Sequence, residues 1–532
     1  MAADQVEPTA PTGIEDDGRT KQDIAEIERI QSATDIDLDK KDHANYDKID
    51  KELAQYVGDG AIEISEEENK RLRRLIDKRV LSIMVATYFI QAIDKGTMSF
   101  ASIMGIITDT GMEGPQYSWL TTCIYITILL VEYPQNYIIA RVPVAKYLSF
   151  MIMAWGTVLA LTAVCKNFTS LVIVRTLLGL FESACQPAFV VLSAMWYKRE
   201  EQAATVTYWY MMNGAQQVVG GLLAYCFSLI GSNSVLKSWQ ALFMTYGIIS
   251  VFYGAFVGYW MPDSPMRAKC FSEEDKRLMV ERVRSNQTGI QNRVFKKEQV
   301  IEAFKDPQTW GYALIQLCTT LPTSGLGSYQ GLIIKSFGFS TLQTQLLAMV
   351  LGFYIIMVLL GSVWLVKKTG QNLLVMLGFV VPSFIGTICL ITVTPDSMPQ
   401  KIGLLICYYI TLSFWSAQTL ALSMVSRNTA GQTKKSVVVA TSFVIWATGN
   451  AIGPQVYLSW DAPRYHIAWY THLGCYSLLV IVIISLRFYL VAQNKKRDEL
   501  AAAGIREAND ARMVHAFEDL TDKENPNFRY VY

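Results

Sequence analysis

Val80–Ile107 reads VLSIMVATYFIQAIDKGTMSFASIMGII. It is longer than the roughly 20 apolar residues needed to cross a ~30 Å hydrocarbon core. Yet Asp94 and Lys95 stand near its middle. A charge at the bilayer centre costs about 2.5–3.5 kcal/mol on insertion scales. A chain that places two charges there either pairs them or uses them. The stretch therefore reads as a membrane helix around which the rest of the chain is arranged.

Of the 532 residues, 51% are hydrophobic, and they gather in windows of membrane-spanning length. Six windows fall at 80–104, 118–140, 146–165, 169–195, 203–230 and 240–260. Six more fall at 309–334, 343–366, 372–393, 399–424, 436–458 and 467–491. A charged loop, 261–308, separates the sets. The expectation is an all-α membrane protein with twelve transmembrane helices in two six-helix bundles. Its parts are a polar, mostly disordered cytosolic tail over 1–79, a first bundle over 80–260, a cytosolic linker over 261–308, a second bundle over 309–491 and a cytosolic tail over 492–532. Within the first tail, 62–78 has the pattern of an amphipathic helix leading into the membrane. The last tail reads as disordered after a short helix. The N-terminus, MAADQVEPTA, lacks the basic-then-apolar layout of a cleavable signal, so span 1 is expected to act as an uncleaved anchor.

A formal net charge of +1 gives no sign of a nucleic-acid partner. The nine cysteines form no CxxC pair, so neither a metal site nor a disulfide framework is expected. No GxxxxGK[ST], HExxH or GxSxG occurs, so ATP-driven pumping and common hydrolase chemistry lack support. No cofactor is implied. Loop charge sets orientation. Arg141 and Lys146, Lys198 and Arg199, Lys367 and Lys368, and Arg427, Lys434 and Lys435 occupy alternate loops, and the intervening loops are poorer in Lys and Arg. Both termini are expected in the cytosol.

Few residues bear chemistry inside the spans. Asp94 and Lys95 form either an internal salt bridge or a coupling site, because low dielectric favours a neutral carboxyl and a nearby cation opposes that. In span 4, Arg175 and Glu182 are seven residues apart and share one helix face. Counting residues puts Asp94 and Arg175 at similar depth, so they are expected to pair. Asp94 and Glu182 are the proton-site candidates. Glu132, two residues before Pro134, either couples a proton or clamps a gate with Arg141 or Lys146. Asn213, Gln216 and Gln217, beside Gly220 and Gly221, are expected to line a cavity. Pro322, Gly325 and Gly327 mark a candidate hinge in span 7, and Asn450 with Pro454 does likewise in span 11. The second bundle holds no deep Asp, Glu, Lys or Arg, so its amides and aromatics would shape the pocket.

Read together, IDKGTMSFASIMGI, SWLTTCIYITILLVEYPQNYIIARVPVAKYL, RTLLGLFESACQPAFVVLSAMWYKREEQ, YMMNGAQQVVGGLLAY, TGNAIGPQVY and the terminal EDLTDKENPNFRY resemble the major facilitator superfamily. Within it they resemble the fungal allantoate permease family of anion:cation symporters. The resemblance covers about 75–530. It implies the major facilitator fold and a carrier of small organic anions, such as ureido acids, vitamins or amino-acid-like solutes, driven by protons or membrane potential through alternating access. The superfamily's loop motif after span 2 survives in degraded form: Arg141 and Lys146 match its basic positions, and Ala140 replaces its Asp. That leaves Glu132 as a substitute in the gate. Arg175 with Gly179 matches the span 4 R-x-x-x-G element. Drug:proton antiporters usually show G-P-x-x-G-G in span 5. Here Gln216–Gln217 replaces Gly-Pro before Gly220–Gly221, which favours uptake.

The leading expectation is proton-coupled uptake of a small organic anion across the plasma membrane by a monomeric carrier seated in lipid. Lys95 and Arg175 would receive the anion, with Asn213, Gln216, Gln217 and Asn450 orienting it. Export of a secondary metabolite is the alternative, and a non-transporting nutrient sensor stands behind it. An enzyme is not expected.

Overall fold

The computed structural model describes residues 64–139, 141–198, 201, 205, 208–230, 234–287, 296–502, 520–525 and 528–532. The expected disorder of 1–63 and the loop position of Ala140 lie outside the described residues.

The first described helix, α1 (Glu66–Ile76), begins where the Ser65 hydroxyl accepts from Glu68 N at 3.2 Å. Acidic residues fill its first turn and Arg73 and Arg74 its last, as the helix dipole favours. It is four residues shorter at its start than the 62–78 pattern suggested. One wider turn, Asp77–Leu81, carries it into α2 (Ser82–Met104). α2 ends at Gly105, whose φ of 109° a side chain would resist.

Five more long segments follow: α3 (Gln116–Ile139), α4 (Val144–Leu161), α5 (Phe168–Glu182) continued by α6 (Cys185–Trp196), α7 (Met212–Ser228) and α8 (Ser238–Trp260). Two charged helices occupy the linker, α9 (Glu273–Gln287) and α10 (Lys297–Lys305). The second set is α11 (Pro307–Ser336), α12 (Thr341–Thr369), α13 (Asn372–Thr392), α14 (Met398–Thr411) continued by α15 (Trp415–Asn428), α16 (Gln432–Ile452) and α17 (His466–Ala502). Eight of the long segments are apolar and long enough to cross a membrane by length and composition alone. Among the described residues, the segments outside that group are α2, α3, α7 and α11: α2 carries Asp94 and Lys95 in mid-span, and the described part of α7 is 17 residues long. Six segments, a linker and six more is the order expected from the hydrophobic windows. α17 runs on to Ala502, past the expected end near 491.

Counting passes places the start of α2, both linker helices and the end of α17 on one face of the bundle, called here the linker face. On it, α9 holds to the first group: Arg282, fully buried, donates to Asn69 Oδ1 at 2.6 Å, Glu201 Oε1 at 2.5 Å and Trp196 O at 3.4 Å. α10 holds to the second, with Gln299 Oε1 accepting from Thr433 N and Lys434 N. Each linker helix is thus fastened to a different group.

The hydrogen bonds that join the two groups gather toward the opposite face. Tyr117 Oη donates to Ser328 O at 2.7 Å, and the Ser118 and Tyr329 hydroxyls meet at 2.6 Å. Thr122 Oγ1 donates to Ala451 O at 2.7 Å and accepts from Gln455 Nε2 at 2.8 Å. Gln345 Nε2 donates to Ser228 Oγ at 2.7 Å. Gly331 N donates to Ser99 Oγ at 3.0 Å, so close that a Cβ on Gly331 would lie 2.7 Å from Ser99 O. Gly331→Val should therefore wedge α11 from α2 without opening either group internally. The expected outcome is a folded, monodisperse protein with at least tenfold slower transport, checked by size exclusion and vesicle uptake.

Span 7 does not break at its proline and glycines. α11 is helical through Pro322, Gly325 and Gly327. Gly325 serves close packing instead: a Cβ there would meet Tyr457 Cε2 at 2.7 Å and Gly453 O at 2.8 Å. Gly327 faces open space. The stretch is thus an unbroken helix in this state, and Gly325 lets α11 and the end of α16 nearly touch.

Candidate functional site

The charges of the first group converge between α2 and α5. Lys95 Nζ lies 3.0 Å from Glu182 Oε1. No other donor reaches either Glu182 oxygen. The Glu182 side chain is 1% exposed, but that of Lys95 is 34% exposed. A lysine near the middle of a membrane helix, partly exposed and facing a buried carboxylate, is one that belongs beside an internal aqueous space rather than lipid.

Asp94 and Arg175 do not form the expected pair. Asp94 is buried, and neither carboxylate oxygen has a hydrogen-bond partner. Arg175, also buried, sends Nη2 to the Met98 sulfur at 3.2 Å and places its guanidinium 5.3 Å from the centre of the Phe243 ring. Its Nε is unpartnered. The physical reason is register. Arg175 sits level with Met98, one turn beyond Asp94, while Glu182, about 10 Å along the same helix, comes level with Gln91, whose amide donates to its carbonyl, and the long Lys95 side chain reaches back to its carboxylate. Neighbours on a helix point about 100° apart, so Lys95 turns to Glu182 and Asp94 is left facing inward. Asp94 still lies within electrostatic reach of Glu182, Arg175 and Lys95.

Aromatic rings wall this quartet. Tyr88 packs on Trp209 at 4.8 Å and Tyr210 at 6.3 Å. Asn213 Nδ2 donates to Tyr88 Oη at 3.0 Å and Tyr210 O at 2.9 Å. Tyr125 meets Trp446 of the second group edge-on at 5.6 Å. Gln216 is buried with Oε1 unpartnered, aimed at Gly96: a Cβ on that glycine would lie 2.6 Å from it. Gln217 is engaged across the groups, its amide exchanging bonds with that of Gln330 at 3.1 and 3.4 Å. Asn450 Nδ2 bonds its own helix at Trp446 O, 2.8 Å, and its backbone carbonyl accepts from Ser324 Oγ at 2.8 Å. Asn213 and Gln216 thus border the quartet, whereas Gln217 and Asn450 are occupied by helix contacts.

The gate candidates lie elsewhere. Arg141 stacks on Tyr137 at 3.5 Å and donates to Tyr137 O. Lys146 Nζ pairs with Asp263 at 3.8 Å. Glu132 pairs with neither. It sits one turn before Asn136, which donates to its backbone carbonyl, and no ion pair reaches its carboxylate among the described residues. The short loop after α3 turns Arg141 back onto its own helix, which removes it from Glu132.

The sequence reading passed over Gln330, Tyr117 and Tyr329, which seal the opposite face, and the Tyr208–Trp209–Tyr210 run beside the quartet. The run was visible as three successive aromatics. The sealing residues carry no such mark, because a tyrosine that bonds across helices has the same spacing as one that packs within its own.

A family model described as the Major Facilitator Superfamily matches residues 84–454. The chain is 32% identical over 503 residues to the allantoate permease of Saccharomyces cerevisiae, covering 91% of this chain and 90% of the relative. It is 32% identical over 497 residues to a thiamine pathway transporter of the same yeast, covering 93% and 92%. Among solved structures it is similar to a D-xylose-proton symporter, with a TM-score of 0.58 at 13% identity over 77% of this chain and 96% of that one. That last likeness is one of fold.

Proposed function

Because the chain belongs to the major facilitator superfamily, and to its allantoate-permease-like family, we propose that it takes up a small organic anion together with a proton by alternating access. It is a multi-pass membrane transporter and not an enzyme. The observation that carries the proposal is the quartet Asp94, Lys95, Arg175 and Glu182, packed between two helices with Lys95 partly exposed.

Charge counting supplies the mechanism. With all four side chains ionised, two carboxylates balance two cations. A monoanion entering that low-dielectric cluster adds a net charge that nothing offsets. One proton delivered with it restores balance. Asp94 is the acceptor best placed for that proton, because no donor holds its oxygens, whereas Glu182 faces Lys95. Lys95 and Arg175 attract the anion's carboxylate. Asn213 and Gln216 supply amide groups at the rim, and the Tyr88, Trp209 and Tyr210 rings offer faces for the rest of the solute. Glu132, Arg141 and Lys146 belong to the linker-face end and would move with the gate. One relative is named for the anion allantoate, in keeping with this substrate class.

The seal at the opposite face leaves the aqueous space beside Lys95 to open toward the linker face. In the orientation that loop charges favour, with both termini cytosolic and the carrier in the plasma membrane, this is the releasing state of an importer. The test is uptake into sealed vesicles, screening ureido acids, carboxylated vitamins and amino-acid-like anions. Accumulation should rise with an inward proton gradient and fall when an ionophore collapses it. A substrate taken up at equal rate with and without the gradient would overturn proton coupling.

A further inference from the structure

The end of the chain is built into the linker face of the second group. Lys434, at the start of α16, is fully buried, and three carboxylates surround its ammonium: Asp306 at 2.7 Å, Asp522 at 2.7 Å and Glu302 at 2.9 Å. Asp306 caps the start of α11, Glu302 belongs to α10, and Asp522 comes from the C-terminal segment. Tyr530 Oη donates to the other Asp522 oxygen at 2.7 Å. Burial, and then that carboxylate, push the Tyr530 phenol up from its ordinary range, so it remains a donor. The Asn428 side chain, at the end of α15, exchanges two bonds with the Val531 backbone at 2.7 and 2.8 Å. Arg497 of α17 donates to Phe528 O and Asp522 O, and Asn372 N donates to Tyr532 O at 3.1 Å. The described part of this tail, expected to be disordered, is held by residues from four helices.

The two helices joined at Lys434 also carry bonds that seal the opposite face. α11 carries Asp306 at one end and Ser328, Tyr329 and Gly331 toward the other. α16 carries Lys434 in its first turn and Ala451 at its far end, where Thr122 bonds it. Helices transmit a tilt at one end to the other, because packed segments move as rigid bodies. If the tail withdrew, Lys434 would keep Asp306 and Glu302, so no buried ammonium would be orphaned. The docked tail is therefore an element that can detach at tolerable cost, sited where it fixes the angle between α11 and α16.

We propose that the described C-terminal residues, 520–525 and 528–532, form an intramolecular latch whose docking at Lys434 and Asn428 holds the opposite face closed, and whose release shifts the carrier toward the state open on that face. This goes beyond the transport proposal and rests only on the alternating access of its two groups, not on the substrate or on the proton.

The test reads the seal and not transport, so it remains informative if the substrate or coupling assignment fails. Thr121→Cys places a thiol in the seal, where Thr121 and Ser328 meet, in a background with Cys123, Cys226 and Cys270 replaced by serine. A membrane-impermeant maleimide is applied from the opposite face. A second reporter, Val531→Cys, reads whether the tail is docked. Asp522→Asn combined with Tyr530→Phe, and separately deletion of 520–532, should raise labelling at position 121 at least threefold. A synthetic peptide of residues 520–532 added to the linker face of the deleted protein should return it to the original rate, and the same peptide with Asp522→Asn should not. A merely structural tail would lower the melting temperature and leave labelling unmoved. Should the deleted chain fail to fold, the double variant alone decides. Unchanged labelling at 121, with position 531 shown to be exposed, overturns the latch.

Discussion

Asp94→Asn should leave the carrier folded and abolish the dependence of uptake on the proton gradient. The side chain is buried and neither oxygen accepts a hydrogen bond, so an amide of the same shape removes no native partner. The melting temperature should stay within a few degrees of the parent. What the substitution removes is the ability to alternate between charged and neutral. The amide mimics the protonated carboxyl permanently. The quartet then holds one carboxylate and two cations, a standing excess of one positive charge, and an anion enters without a proton and leaves reluctantly. Net uptake should fall at least tenfold, while exchange of labelled for unlabelled substrate across the same vesicles persists. If Asp94→Asn accumulates substrate normally and still responds to the gradient, the proton travels elsewhere. Glu132, isolated on the linker-face half of α3, would be the next group to replace.

How much of this was legible beforehand follows from what each signal measures. Hydrophobic windows report burial in lipid, and they located the helices to within several residues because lipid is a uniform solvent. They failed at ends that lie against protein or water, as at Ala502, where α17 leaves the apolar region and continues as a charged helix. Mid-span charges stood out for the same reason, so Asp94, Lys95, Arg175 and Glu182 were found together. Their pairing was not, because depth counted in residues ignores rotation. One position on α2 separates a residue paired with Glu182 from one whose oxygens accept no hydrogen bond. The glycines of span 7 were equally ambiguous: a small residue permits either a break or a close approach, and only the position of α16 decides. Lys434 shows the opposite failure. Its charge was read as one more cytosolic lysine in a loop, correct for topology, yet its ammonium is fully enclosed. Nothing local distinguishes it, because its partners lie 128, 132 and 88 residues away in sequence, the last being Asp522.

Replacing Lys95 and Glu182 singly and together separates a salt bridge that holds helices from one that works. Lys95→Gln strands a carboxylate that is 1% exposed, and the fold should lose stability. The loss should fall below the roughly 3–5 kcal/mol of a fully buried pair, because a third of the lysine side chain is open and partly screened. Glu182→Gln leaves the lysine side chain partly exposed and should cost less. With both neutral, no buried charge is stranded, and stability should return close to the parent, since neutral replacement of an ion pair is often harmless. Transport should not return. The anion would have lost one of its two cations, and the quartet would be reduced to Asp94 and Arg175. The expected pattern is a melting temperature that recovers in the double variant while uptake stays at least thirtyfold down in Lys95→Gln and in the double variant alike. Recovery of both together would reduce the bridge to a fastener between α2 and α5. Anion recognition would then fall to Arg175, whose guanidinium, with Nε unpartnered, is the remaining cation of the quartet.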